Sequence, residues 1–226
     1  MKNLPITLGI ARHQSGAQNA LETIGAETRQ KVFERDKHTC RYCGFQSKKY
    51  QDVHFINNNP KDTHFDNMAT ACIFCHQCFD LKKVSTMKSG VLVWLPEIEQ
   101  ADLHHIARAI YVARISQGSM AETAKAALDT LMARREVAKD RISTDDPFIL
   151  ATVMDDFLSP RHYANRSNKL DGVRLFPLDR RIIKEGDLEF NQFPQILAFW
   201  RSKDGPFGGK IPNQWKTLYA QMHKAA

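Results

Sequence analysis

Two cysteine pairs, Cys40-Arg-Tyr-Cys43 and Cys72-Ile-Phe-Cys75, stand at either end of the intervening residues 44–71. A two-residue spacer lets one tight turn aim both sulfurs at a single ion, and four thiolates in a tetrahedron are a preferred zinc environment. Gly44 follows the first pair and suits a residue at positive φ just past the turn, which would free N–H groups to bond sulfur. The second pair suits a helix N-terminus, where the positive end of the dipole favours thiolate. The spacing points to one structural zinc ion on Cys40, Cys43, Cys72 and Cys75. The bland alternative is two independent redox pairs or buried thiols. Cys78 lies three residues past Cys75 and could compete as a ligand through a Cys75/Cys78 pairing. The mirrored spacing favours Cys72 with Cys75 and leaves Cys78 as a small buried apolar residue. Zinc binding by such a module is worth about 10 kcal/mol or more, within the range of a whole domain's net stability. Loss of one ligand is therefore expected to unfold the module.

The rest of the composition agrees with this chemistry. The chain has 226 residues and five cysteines. An odd count argues against a disulfide framework, and paired CxxC motifs in a reducing compartment point to metal. Apolar residues make up 42% and charged residues 25%, ordinary for a globular protein. No apolar run approaches the roughly 20 residues that span a bilayer. Leu4 to Ile10 has a weak signal-like look, but Pro5 interrupts it and Arg12 and His13 follow. A soluble cytoplasmic protein is expected. The net charge is +7. Arg29 to Lys49 and Arg161 to Lys184 each carry seven basic residues against two acidic ones. Such clusters are either solvated faces or a footprint for nucleic acid, an anionic membrane or an acidic partner.

The elements that must position the cysteines can be read coarsely. Residues 1–25 read as a loose leader. Residues 26–37 read as a helix with Val32 and Phe33 inward, 40–49 as a turn-rich knuckle, and 50–56 as a strand. A helix is expected near Cys72 and a short apolar strand over Gly90 to Leu95, stopped by Pro96. Leu103, Ile106, Ala107 and Ile110 follow the i, i+3, i+4, i+7 spacing of a helix from about Glu97 to Ser116. Ser119-Met-Ala-Glu122 reads as a capping box opening a second helix to about Lys139. Asp146-Pro147 reads as an N-cap and first turn of a third helix, ending before Ser159-Pro160. Residues 160–192 look irregular, with one strand around Val173 to Phe176. Helices follow Pro194 and Asn213, the last with Trp215, Leu218, Tyr219 and Met222 on a stripe suited to the core or, as the alternative, to a partner-binding face. The fold class is α+β: a zinc module at 26–95 of ββα, treble-clef-like form, then a mainly helical 96–226. No clean linker divides the two, so one continuous body is an open alternative.

The stretch from Arg29 to His76 resembles the HNH endonuclease family of ββα-metal nucleases. The resemblance rests on Arg35-Asp36, Cys40-x-x-Cys43-Gly44, Val53-His54-Phe55-Ile56, Asn67 and Cys72-x-x-Cys75-His76. It implies a structural zinc on the two pairs and a second, catalytic metal nearby. Carried over by position, His54 and His76 fall on ligands of that second metal, Asn67 on the residue that orients the base loop, and Phe55 on the general base. Phenylalanine cannot accept a proton from an attacking water. Shifting the register makes His54 the base but puts Val53 at the ligand position. No catalytic residue is assigned, and the protein is not expected to be an enzyme. His104 and His105 are adjacent on a helix, point about 100° apart, and suggest no shared metal.

A more specific resemblance is to the DotN/IcmJ family. It runs from Lys31-Val-Phe-Glu-Arg-Asp36 through Cys40-x-x-Cys-Gly-Phe-Gln46, Tyr50-Gln-Asp52, Asn67-x-x-Thr-Ala-Cys-x-Phe-Cys75 and His76-Gln-Cys-Phe79 to Leu95-Pro-Glu97. The match covers about residues 28–115. It implies a non-catalytic zinc-stabilised adaptor of the type IVB (Dot/Icm) secretion coupling complex, held at the inner membrane through that complex. The implied partners are the C-terminal tail of a DotL-type coupling ATPase, DotM and the IcmS–IcmW adaptors, and the implied role is effector recruitment. Two other classes stand beside it: an active HNH endonuclease and a sequence-independent nucleic-acid binder using the basic clusters.

Overall fold

The computed structural model describes residues 3–11 and 24–224, without the side chains of Lys216, Met222, His223 and Lys224. Helix α1 (Ala26–Arg35) carries Glu27 in its first turn and Arg35 in its last, both matched to the helix dipole, and buries Val32. Strands β1 (Gln51–Phe55) and β2 (Met68–Cys72) pair antiparallel, with Gln51 opposite Cys72 and Phe55 opposite Met68. Asn67 ties the loop between them. Its Oδ1 accepts from Asn57 N at 3.0 Å, and its Nδ2 donates to Asp62 O at 2.8 Å. Short helices α2 (Ile73–His76) and α3 (Leu81–Thr86) complete the ββα order, and Asp80 caps α3 by accepting from Lys83 N.

Strand β3 (Gly90–Trp94) is followed by α4 (Gln100–Arg114), α5 (Ser119–Ile142) and α6 (Pro147–Asp156). Then come α7 (Pro160–Ala164), α8 (Arg166–Lys169), β4 (Val173–Pro177), β5 (Ile182–Glu185), β6 (Leu188–Asn191), α9 (Phe193–Arg201) and α10 (Trp215–Lys224). The class is α+β, with small antiparallel sheets and a helical remainder. Strand β4 returns across the chain to pair antiparallel with β3, Trp94 opposite Val173. This two-stranded ribbon has a core on each face. Leu92, Val173 and Leu175 pack with Val84, Leu150 and Met154 on one side. Val93, Leu95 and Phe176 pack on the other with Leu103, Tyr111, Phe193 and Trp200. Double burial explains why residues 91–95 read as a continuous apolar run rather than an alternating one. No helix among the described residues is long and apolar enough to cross a membrane.

Four sequence expectations need correction. Residues 3–11 are not loose. Leu8 and Ile10 are buried, Gly9 N donates to Cys78 O at 2.9 Å, and Arg166 Nε donates to Leu8 O at 2.7 Å. The remainder of the 1–25 leader lies outside the described residues. The capping box at Ser119 does not form, because Gly118 takes the N-cap at φ 85° and Ser119 is already helical. The 160–192 stretch is ordered into α7, α8, β4 and the β5–β6 hairpin. In the last helix Trp215 stacks on Phe207, but Tyr219 is 66% exposed, so the stripe is only partly core; the Met222 side chain falls outside the described residues.

Candidate metal centre

The sulfurs of Cys40, Cys43, Cys72 and Cys75 lie within 4.8 Å of one another, and all four residues are buried. Three local structures bring them there. The knuckle between α1 and β1 holds the first pair. There Cys40 N donates to Phe45 O, and Gly44, at φ 74°, donates its N–H to Cys40 O at 2.9 Å. The positive φ expected of Gly44 is present, and its own N–H serves the turn. Cys72 ends β2 and is the N-cap of α2, so the second pair sits at a helix start. The β1–β2 register and the Arg41 N to Thr70 O bond bring the two pairs together.

The spacing fits a metal. Cys43 Sγ and Cys72 Sγ are 3.7 Å apart. A tetrahedron of sulfurs about 2.3 Å from a central ion has edges of about 3.8 Å, whereas a disulfide is about 2.05 Å. The cysteines are free thiols, not bridges. Contacts with its three neighbouring cysteines draw the Cys43 thiol far below its usual range, while burial pushes Cys72 and Cys75 up. Four buried cysteines that close together can hold a metal ion.

Helix α4 covers this cluster with polar side chains. Arg108 is 1% exposed, and its Nη2 donates to Cys72 Sγ at 2.7 Å and to Cys43 Sγ at 3.7 Å. Its guanidinium stacks 4.0 Å from the Phe45 ring centroid and 5.1 Å from that of Phe74. Its Nε and Nη1 are buried without a hydrogen-bond partner. Burial opposes the arginine's charge, but the cysteine sulfurs outweigh it and raise its pKa. His104 is fully buried with Nδ1 3.3 Å from Cys75 Sγ, and His105 Nε2 lies 2.7 Å from Cys43 O. The sequence does not single out Gln100 or Arg108 and gives His104 no role, because polar residues four apart on a helix usually face water. The available signal was that all three flank the apolar residues Leu103, Ala107 and Tyr111 on the buried side.

Cys78 stays outside the four-sulfur group. Its Sγ donates to Phe74 O at 3.5 Å and lies 3.8 Å from His104 Nε2. His54 and His76 do come near each other, with ring centroids 5.7 Å apart. His54 is stacked on Phe79 at 4.0 Å and edged by Tyr42 at 5.7 Å, and burial followed by the His76 charge lowers its pKa to about 3. His76 opens on a cavity of about 210 Å³ that also meets Asp52, Arg181 and Gln192. Among the described residues these groups do not converge as metal ligands; the four cysteines alone do. Phe55 points the other way, into a small core with Val32, Val53 and Met68.

A small ββα centre with four buried, convergent cysteines defines a protein built around a thiolate metal site. The chain is similar to the type 4 apparatus protein DotN of Legionella pneumophila, with 31% identity over 131 residues, covering 56% of this chain and 61% of DotN. The match thus spans about three fifths of that relative's length. No family model matches the chain.

Proposed function

We propose that this chain is a zinc-stabilised, non-catalytic subunit of a type IV secretion apparatus, with Cys40, Cys43, Cys72 and Cys75 holding one structural zinc ion. The observation that carries the zinc assignment is the buried tetrahedral-sized sulfur cluster with a guanidinium against it. Four protonated thiols would leave Arg108 buried with no counter-charge. Four thiolates around Zn²⁺ carry a net charge of −2, which gives the arginine its partner. Zinc here supplies a cross-link between the knuckle and α2. The similarity to DotN carries the assignment to the apparatus.

The finer reading is an adaptor of a type IVB coupling complex at the inner membrane. It docks onto the C-terminal extension of a DotL-type coupling ATPase, beside DotM and IcmS–IcmW, and supports effector recruitment. The nuclease alternative is weakened by the aromatic cage around His54 and the apolar setting of Phe55. The nucleic-acid alternative is weakened because part of the basic clusters is engaged within the chain. Arg29 pairs with Asp52, Lys31 with Glu27, and Arg35 and Arg41 with Asp36. Arg174 is buried and donates to Ile98 O at 2.7 Å.

The test is affinity purification of the tagged chain from native membranes of the source cell. Co-purification of a coupling ATPase, lost when that ATPase's C-terminal extension is deleted, supports the reading. Recovery without any secretion ATPase sinks it. Metal-dependent nicking of a plasmid by the purified chain would favour the nuclease instead.

A further inference from the structure

Gln100, His104 and Arg108 lie one turn apart in sequence steps of four, so one face of α4 carries all three. The Gln100 side chain has a fixed orientation. Its Oε1 accepts from Leu175 N at 2.9 Å, and its Nε2 donates to Leu175 O at 2.8 Å. The second hydrogen on Nε2 points at His104 Nε2, 2.8 Å away. His104 Nε2 therefore accepts. A neutral imidazole with one accepting nitrogen carries its proton on the other. His104 Nδ1 is thus the donor toward Cys75 Sγ at 3.3 Å. Arg108 Nη2 is the donor toward Cys72 Sγ at 2.7 Å.

Arg108 is the harder group to explain otherwise. A buried guanidinium is several kcal/mol uphill unless it is paired. No carboxylate among the described residues forms an ion pair with it. Apart from the neighbouring His104 and His105, its charge faces sulfur and two aromatic faces among the described residues.

We infer that α4 forms the outer shell of the zinc centre, with Arg108 as a positioning residue that offsets its negative charge and His104 as a second donor that makes the Cys72/Cys75 thiolates poor nucleophiles. This rests on the zinc reading above. A thiolate that accepts a strong hydrogen bond has less electron density to offer an electrophile or a competing proton, so the ion leaves slowly. Both donors act on the second cysteine pair, which β2 and α2 hold rigidly. In the first pair, on the knuckle, Cys43 receives the longer Arg108 contact at 3.7 Å and lies against His105, whose Nε2 is 2.7 Å from Cys43 O and which also hydrogen-bonds the Cys43 side chain. Attack on the centre is therefore expected to begin at Cys40, whose sulfur accepts from none of these side chains.

The decisive measurement uses the unmodified full chain, loaded with an NMR-active cadmium isotope in place of zinc. Correlations from the cadmium nucleus to the β-protons of Cys40, Cys43, Cys72 and Cys75 establish the ligands. A further correlation across the hydrogen bond to an Arg108 Nη proton is expected, and another to His104 Hδ1. The companion measurement is zinc transfer to a chromogenic chelator. Arg108→Met should speed release by about 10–100-fold, the usual effect of losing an outer-shell partner. Arg108→Lys, which keeps the charge without the planar fork, should fall between. Four cysteine correlations with none to Arg108, or an Arg108→Met protein that releases zinc at the parent rate, would overturn the inference while leaving the zinc site intact. Absence of the four cysteine correlations would remove the ligand assignment, and the outer shell with it. Should Arg108→Met fail to fold, the cadmium spectrum of the parent chain still decides.

Discussion

Asp36 receives more charge-assisted hydrogen bonds than any other carboxylate near the metal centre. Its side chain is 1% exposed. Arg35 reaches it with Nε at 2.9 Å and Nη2 at 3.0 Å, and Thr70 N donates at 2.8 Å. Arg35 goes on to Met68 O and Phe65 O, so the pair ties the end of α1 to β2. Burial pulls the Asp36 pKa upward, but Arg35 and the Thr70 bond outweigh it and hold it below the ordinary value. Asp36→Asn should cost about 2–4 kcal/mol in chemical denaturation, because it strands two arginines around a neutral amide. A cost below 0.5 kcal/mol, on the order of a surface change, would mean the network is decorative. His54 gives the opposite handle. Burial, aided by the nearby His76, lowers its pKa to about 3, against about 6.5 unfolded. The unfolded chain therefore binds a proton that the folded one refuses. Stability from this group is complete above about pH 6.5 and drains as pH falls toward 3, by about 1.4 kcal/mol per unit. Urea titrations of the parent and of His54→Phe, both with excess zinc, should diverge in slope below pH 6.5. Parallel slopes would place a charged, hydrated imidazole at this position.

At the scale of elements, the segment 3–11 behaves as part of the core. Gly9 sits so close to α7 and α8 that a Cβ there would lie 2.9 Å from Tyr163 Oη and 3.1 Å from Arg166 Nη2. Tyr163 Oη bonds both Ile10 N and Ile10 O, and Leu81 N donates to Gly9 O. Gly9→Val should lower stability by about 1–3 kcal/mol, the usual cost of overpacking, and expose the 3–11 peptide to protease. An unchanged thermal midpoint would mean the segment can step aside. This element was hidden in the sequence because it is extended, short, and held by residues distant in sequence, Cys78 and Leu81 as well as Tyr163, which is 153 positions from Ile10. Elements whose cause is local were legible. Asp146-Pro147 opens α6 as read, with Asp146 accepting from Phe148 N. The β1 strand and the apolar β3 run were visible in their patterns. The β5–β6 hairpin was missed although Gly186-Asp187 is a turn signal, because Lys184, Glu185 and Glu189 mask its alternation. The four cysteines were legible from spacing. Arg108 was not, since its role depends on a helix packing over a cluster that sequence places more than 30 residues earlier.

For the whole molecule, one hydrophobic cluster joins the cysteines to the helical region. Cys40, Cys43, Cys72 and Cys75 share it with Leu103, Ala107 and Tyr111 of α4 and with Phe193, Ile196 and Trp200 of α9. Trp200 is edge-on to both Phe45 of the knuckle and Phe74 of α2, at 5.8 and 5.5 Å. A cysteine module that shares its core this way has little apolar surface to bury by itself, and small metal-binding modules depend on the metal for stability. Unfolding of the full chain in urea should therefore be a single transition. Zinc release to a chelator, loss of helix signal and the change in tryptophan fluorescence should share one midpoint. Cys72→Ser should abolish that transition by removing soluble folded protein, since it takes one sulfur from the four-cysteine cluster at the point where β2 meets α2. The competing outcome is two separate steps, with zinc retained while the helices melt. That result would show the 26–95 module standing alone, and the contacts of Phe45 and Phe74 with Trp200 would then be a docking of two bodies. Trp200→Leu distinguishes the cases further. In one cooperative core the substitution lowers the shared midpoint and speeds zinc loss together, whereas for docked bodies it moves only the helical step.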